Sequence, residues 1–288
     1  MINEIKMLSP AKLNLYLEVI NRTSDGFHNL KSLMCFCDFG DIIQIRKARN
    51  FSFSINGPFS ENLEKNNNII TSSVLFIENL IKKKIEVEIS LTKNIPIASG
   101  MGGGSSNAAT TIICLKKLFN LKFDTYFLSS LFKLGADIPF CYYRESAFVE
   151  GKGEKVKLLK KKIPEFLILL VNPRKEISTK LIFSKLKING KKSSKFDNKL
   201  IDSSNFIDFL KSKNNDLEYP AMSQCNEIKS IIDFLDKETK SFLCRMTGSG
   251  ATCFGIYENK EDLVLAEKLI NKNFKDFWTK KTRIVNKI

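Results

Sequence analysis

The chain has 288 residues, 43% of them hydrophobic, a length between one large domain and two ordinary ones and a composition that supports a sizeable soluble core. No apolar run is long enough to span a bilayer, and the opening Met-Ile-Asn-Glu-Ile-Lys passes into strand-like sequence without a signal-peptide pattern, so a cytoplasmic protein with no membrane partner is expected. The formal net charge is +15, but only 7 of the 46 basic residues are Arg and the 39 Lys are spread over the whole length, which argues against a nucleic-acid-binding patch.

Taken in order, Ile5 to Ile20 reads as a strand with a break at Ser9-Pro10. In it Lys12, Asn14 and Tyr16 alternate with Leu13, Leu15 and Leu17, so one face is expected to be apolar and the other polar. Asp25-Gly26-Phe27-His28 is a hairpin-turn signature that ends in an aromatic and the single histidine of the chain, a pair able to stack on and hydrogen-bond a flat base. Two more strands are expected between Asp41 and Ile55, then a polar loop from Gly57 to Asn68 and a helix from Ile69 to Lys82 capped by the Asn66-Asn67-Asn68 run.

The stretch Lys93 to Ala109 organises the rest. It follows a strand, Ile85 to Leu91, carries four glycines in five positions (Gly100, Gly102, Gly103, Gly104), and leads into a helix from Ser105 to Phe119 with Ser105 or Ser106 as its cap. Strand, glycine loop and helix N-terminus in that order form an anion cradle, most often for phosphate. A Walker A loop is excluded because no Lys follows the last glycine, and the dinucleotide fingerprint because its third glycine would fall at Ser105.

A helix from Asp124 to Leu134 precedes Gly135-Ala136-Asp137-Ile138-Pro139-Phe140, where an acid sits on an exposed bend between a helix-ending glycine and a proline. Composition changes after the basic run Lys160 to Lys162, which places a domain boundary near Lys162, giving residues 1–162 and 163–288. Beyond it come a strand from Phe166 to Val171, a helix beginning at Ile177-Ser178-Thr179, and a polar insert from Lys187 to Asn205 expected to be mobile. Asn215-Asp216-Leu217-Glu218 then leads a helix ending near Lys237. A strand from Phe242 to Met246 meets the turn Thr247-Gly248-Ser249-Gly250-Ala251, followed by a strand Cys253 to Tyr257, a helix Lys260 to Asn271 and a last strand near Thr282 to Val285. The seven cysteines lie mostly among apolar neighbours, and Cys35 and Cys37 lack a second pair or a histidine at zinc spacing. They are expected to be small, reduced core residues.

Three motifs, Pro10-Ala11-Lys12-Leu13-Asn14-Leu15, the loop Pro96 to Ser106 and Thr247 to Ala251, in this order and across almost the whole chain, resemble the GHMP kinase superfamily. Asp25 to His28, Gly135 to Phe140 and Asn215 to Glu218 narrow the resemblance to members whose acceptor carries a cytidine base. The resemblance implies a two-domain α+β fold, with an N-terminal ribosomal-protein-like α/β domain and a C-terminal ferredoxin-like α+β domain. It implies ATP-dependent phosphorylation, with Mg²⁺, of the 2-hydroxyl of 4-diphosphocytidyl-2-C-methyl-D-erythritol in non-mevalonate isoprenoid precursor biosynthesis, by a monomer or homodimer. Matched residue by residue, Asp137 resembles the catalytic base and Lys12 the cation beside it. Asn68, Lys93 and the loop Pro96, Ile97, Ala98, Ser99, Gly100, Met101, Gly102, Gly103, Gly104, Ser105 and Ser106 resemble the nucleotide site. Asn14, Phe27, His28 and Thr179 resemble the substrate pocket. This sequence departs from the family at Phe27, where Tyr is common, and at Ala98-Ser99, where glycines tend to stand. No carboxylate stands out as a magnesium ligand.

Overall fold

Two long strands, β1 (Glu4–Arg22) and β2 (His28–Lys47), pair antiparallel along their full length and carry both halves of the molecule. The computed structural model describes residues 2–61, 63–64, 68–124, 126–187, 201 and 205–288. The Asp-Gly turn joins the two strands as expected: the Gly26 N–H donates to the Thr23 carbonyl at 3.0 Å and the Thr23 N–H to the Phe27 carbonyl at 2.8 Å.

Both strands are longer than the sequence implied. Pro10 does not end β1. It sits at a register shift between Pro10 and Lys12, and such a bulge accommodates a residue that has no N–H to give the ladder. Likewise β2 runs through Gly40-Asp41 without a break, and a Cβ on Gly40 would lie 2.1 Å from the Ser9 carbonyl oxygen on β1. A second shift between Asn14 and Tyr16 breaks the expected alternation. Tyr16 enters the core with Leu13 and Leu15, and Leu17 joins a different cluster.

The N-terminal half continues with β3 (Ser52–Asn56), parallel to β4 (Val87–Thr92), which in turn pairs antiparallel with β2. Helix α1 (Ile69–Ile81) buries Ile70, Ser73, Val74 and Ile77, the i, i+3, i+4, i+7 spacing of one helix face. Its cap is Asn68, whose side chain accepts from the Ile70 N–H; Asn66 and Asn67 lie outside the described residues. Helix α2 (Gly103–Leu118) starts two residues before the expected position, and Gly102 in the left-handed region (φ 63°) is its cap with no side-chain bond. From Ser106 to Leu115 every residue of α2 is buried, which its small side chains permit.

Only one short helix, α3 (Phe127–Leu131), forms where a longer one was expected. Next comes α4 (Ile138–Tyr143), and here Pro139 opens a helix in its first turn, where no N–H is missed, instead of ending one. The sequence reading did not register β5 (Ala147–Gly151), which pairs with β2, or β6 (Lys155–Leu158), which pairs with β5.

The C-terminal half comprises β7 (Leu167–Asn172), α5 (Thr179–Ser184), α6 (Phe206–Lys211), α7 (Glu218–Met222), α8 (Asn226–Glu238), β8 (Leu243–Met246), β9 (Cys253–Tyr257), α9 (Lys260–Asn273) and β10 (Trp278–Val285). The single helix expected up to Lys237 is thus two, α7 and α8, and α6 was not anticipated. The polar insert expected to be mobile falls almost entirely outside the described residues. The strands lie in the order β10-β7-β9-β8, all antiparallel, which is the ferredoxin-like arrangement. Ile284 and Val285 of β10 pair with Cys37 and Phe36 of β2, so the two sheets merge into one, of ten strands among the described residues.

Among the described residues three apolar clusters form the core, and one of them holds Ala11, Leu13 and Leu15 of β1 together with Ile168, Leu170 and Phe254 of the C-terminal half. Cys35 and Cys37 are fully buried there, and all seven thiols are free. Among the described residues no group of His, Cys, Asp and Glu could hold a metal ion, and no helix is long and apolar enough to cross a membrane.

Phe36 on β2 stacks on Phe140 of α4 with ring centroids 4.5 Å apart and planes 11° from parallel, and both rings are fully buried. Phe36→Ala is expected to lower the unfolding free energy by about 3–5 kcal/mol, measured by urea denaturation, because it leaves a cavity under the helix that follows Asp137.

Candidate active site

A cleft of about 940 Å³ opens between β1, the glycine loop, α5 and the Thr247–Ala251 turn. Every residue expected in a catalytic, nucleotide or substrate role lines it except Met101 and Ser106. Met101 is buried in the core and acts through its carbonyl, which accepts the Lys12 N–H at 3.0 Å. Ser106 is also buried, its hydroxyl bonded to that of Ser9 at 3.0 Å, which pins α2 to β1.

At the centre Lys12 Nζ lies 3.3 Å from Asp137 Oδ2 and 2.6 Å from Asn14 Oδ1. Lys12 is only 4% exposed, which overturns the ordinary expectation of a solvated strand lysine. A lysine removed from water needs partners of this kind. The bulge after Pro10 turns the Lys12 N–H out of the ladder and toward Met101. Asn14 is held in turn: its Nδ2 donates to Ser32 Oγ at 2.8 Å, and its N–H to Thr247 Oγ1 at 3.0 Å. Asp137 caps α4 by position, yet its side chain makes no capping bond, so the carboxylate is left for Lys12 and for the cleft.

The glycines of the loop do two different things. A Cβ on Gly100 would meet the Thr247 carbonyl oxygen at 2.3 Å, and one on Gly248 would meet the Gly100 carbonyl oxygen at 2.4 Å. These two glycines let the loops of the two halves interlock. A Cβ on Gly104, by contrast, would touch only Ile69, at 3.9 Å, so the space beside it is open. The backbone N–H groups of Gly103, Gly104 and Ser105 form the first turn of α2 and have no acceptor within the helix, which leaves them to an anion. Ala98, which stands where the resembled family tends to have glycine, adopts φ 49°, in the left-handed region that favours glycine.

Lys93 enters the cleft from the end of β4, 5% exposed, with Nζ 2.6 Å from Asp41 Oδ2. Burial pulls its pKa down, and the charge and hydrogen bond of Asp41 act in the opposite direction. Asn68 lines the same side while capping α1, so the plain capping role and the cleft position coexist.

Elsewhere in the cleft Phe27 is 51% exposed, with Lys152 Nζ 5.2 Å from its ring centroid and Phe132 tilted against it at 6.4 Å. Lys152 also pairs with Asp25. His28 does not stack with Phe27. It lies on Phe183 of α5, ring centroids 5.0 Å apart, and burial with the nearby charge of Arg22 lowers its pKa, which favours the uncharged ring. Thr179 bonds Ser249 at 2.8 Å and joins α5 to the second glycine turn.

Sequence reasoning missed Asp41, Asn107, Phe183 and Ser249 in the cleft or beneath it. Ser249 stood within a recognised motif. Phe183 carries no sequence signal that separates it from other apolar helix residues, and Asp41 stands at the start of an expected strand.

The family model described as the GHMP kinases N terminal domain matches residues 68–145, and that described as GHMP kinases C terminal matches residues 199–276. A 4-diphosphocytidyl-2-C-methyl-D-erythritol kinase from Chelativorans sp. is 34% identical over 289 residues, covering 97% of this chain and 96% of its own. Its counterpart from Agrobacterium fabrum is 36% identical over 287 residues, covering 96% and 95%. A crystal structure of 4-(cytidine 5'-diphospho)-2C-methyl-D-erythritol kinase shares the fold with a TM-score of 0.79, covering 98% of this chain and 100% of that one at 24% identity. The chain belongs to the GHMP kinases, in the family of the 4-diphosphocytidyl-2-C-methyl-D-erythritol kinases.

Proposed function

We propose that the protein transfers the γ-phosphoryl group of ATP to the 2-hydroxyl of 4-diphosphocytidyl-2-C-methyl-D-erythritol, a step of non-mevalonate isoprenoid precursor synthesis. The observation that carries this reading is the Lys12–Asp137 pair, 3.3 Å apart, set in one cleft with the open N-terminus of α2 and the exposed ring of Phe27. Phosphoryl transfer needs positioning and charge stabilisation more than covalent chemistry, and this set supplies both.

In this reading the first-turn amides of α2 and the Lys93 ammonium hold the nucleotide phosphates, with Asn68 near the nucleotide. Asp137 accepts the proton of the acceptor hydroxyl as the new O–P bond forms and the bond from the γ-phosphorus to the β–γ bridging oxygen breaks, releasing ADP, and Lys12 stabilises the negative charge on the attacking oxygen. Phe27 offers a ring face to the cytosine, His28 a hydrogen-bonding edge, and Asn14 and Thr179 line the remainder. The hydroxyl that the common Tyr would add at position 27 is not needed for stacking. The two functional halves meet near Lys162, with the nucleotide loop in the first and the Thr247–Ala251 turn in the second.

Mg²⁺ would neutralise the ATP phosphates and orient them. Asp137 is the one carboxylate lining the cleft among the described residues, and it is engaged with Lys12. The ion is taken to arrive with the nucleotide, and no protein ligand is assigned to it.

Offered the cytidylated acceptor beside homoserine and mevalonate with ATP, the purified protein is expected to phosphorylate the first with the highest kcat/KM; preference for either of the others defeats the assignment. Asp137→Asn keeps the shape of the base but cannot take the proton, and is expected to lower kcat by at least about a thousandfold with ATP affinity within about twofold, read by steady-state kinetics and calorimetric titration of an ATP analogue. Retained turnover would remove Asp137 from the mechanism.

A further inference from the structure

Asp41 lies on β2 and is fully buried, and the reaction outlined above gives it no role. Its carboxylate gathers four donors from three parts of the nucleotide side. Oδ1 accepts the backbone N–H of Asn94 at 2.7 Å and of Ile95 at 2.8 Å, the two residues that lead into the glycine loop. Oδ2 accepts Lys93 Nζ at 2.6 Å and Asn107 Nδ2, from the second turn of α2, at 3.0 Å.

Two features show that these contacts are more than filling. The Lys93 ammonium stands beside the start of α2, where a Cβ on Gly103 would lie 3.1 Å from it. The helix dipole opposes a cation at that end, and burial opposes it again, so an anion behind Lys93 is what lets a charged ammonium rest there before any phosphate arrives. Asn107 is 3% exposed, and its Oδ1 has no hydrogen-bond partner among the described residues. Leaving an acceptor unpaired in the interior is unfavourable, and the amide is oriented so that its NH₂ meets Asp41 instead.

We propose that Asp41 is a positioning residue of the nucleotide site, a buried carboxylate that holds the Lys93 ammonium, the loop entrance at Asn94-Ile95 and the first turns of α2 in one fixed arrangement for the ATP phosphates. This rests on the reading that the glycine loop holds ATP. Asp41 touches neither substrate. It acts through Lys93 and through the backbone that presents the amides.

The test compares wild type, Asp41→Asn, Lys93→Met and the double variant by steady-state kinetics in ATP and acceptor, together with calorimetric titration of a non-hydrolysable ATP analogue. Asp41→Asn keeps the size of the side chain but replaces an acceptor with an NH₂ facing an ammonium. It is expected to raise the KM for ATP and the analogue Kd by about tenfold or more, with kcat within about threefold and the acceptor KM unchanged. The double variant is expected to bind the analogue worse than Lys93→Met alone, through the lost hold on Asn94, Ile95 and Asn107, but by clearly less than Asp41→Asn costs the wild type, because contacting residues that act as a unit are not additive.

An Asp41→Asn protein with wild-type ATP KM, a loss that falls equally on both substrates, or additive losses in the double variant would each overturn the proposal. Should Asp41→Asn fail to fold, Asn107→Ala carries the test: removal of that one donor is expected to raise the ATP KM about threefold with the acceptor KM unchanged, and an unchanged ATP KM would overturn the role. A wild-type protein that binds no ATP analogue would instead overturn the functional reading beneath the proposal, which keeps the two failures apart.

Discussion

One ion pair, Lys12 with Asp137, sets the requirement that the rest of the chain meets. Lys12 is almost wholly withdrawn from water, and such a charge persists only if carboxylate, amide and backbone are all in place around it. The carboxylate comes from a residue that begins α4 and declines to cap it. The amide is Asn14, two residues along the same strand, itself gripped by Ser32 on β2 and by Thr247 from the other half. Asn215 completes the series by donating to the carbonyls of Met246 and Gly248 on either side of Thr247, at 2.9 and 2.8 Å. A run of hydrogen-bonded residues thus connects the C-terminal half to the Lys12–Asp137 pair.

The interlocked loops explain why the cleft needs both halves. Gly100 and Gly248 approach each other so closely that neither tolerates a side chain, and the Thr252 N–H donates to the Ser99 carbonyl at 3.2 Å across the same seam. The turn in the C-terminal half therefore shapes the glycine loop of the N-terminal half, while α5 from the C-terminal half brings Thr179 and Phe183 into the cleft. The shared cluster around Leu13, Leu15 and Ile168 and the β2–β10 pairing hold that seam shut.

Much of this was legible in the sequence because the signals are local. The Asp25-Gly26 turn, the amphipathic spacing of α1, the Ser178 cap of α5 and the glycine loop between strand and helix each specify their own geometry within a few residues. The errors cluster where a distant partner overrides a local rule. Pro10 reads as a break but is absorbed by a bulge whose other side is β2, and Pro139 reads as a stop but serves as a start because α3 had already ended. Tyr16 leaves its expected face through a register shift that no alternation pattern contains. Asp41 is the clearest case: its partners are 52, 53, 54 and 66 residues away, so nothing near it in the chain announces a buried carboxylate. Lys12 and Asp137 were singled out through the resemblance of their motifs, and their 125-residue separation closes to 3.3 Å only in the fold.

The most direct test of the account is a crystal structure with a non-hydrolysable ATP analogue and 4-diphosphocytidyl-2-C-methyl-D-erythritol bound together. The acceptor 2-hydroxyl is expected within about 3 Å of both the Asp137 carboxylate and the Lys12 ammonium, with the terminal phosphate on the first-turn amides of α2. A hydroxyl held away from that pair, or a triphosphate seated outside the Gly103–Ser105 turn, would contradict it.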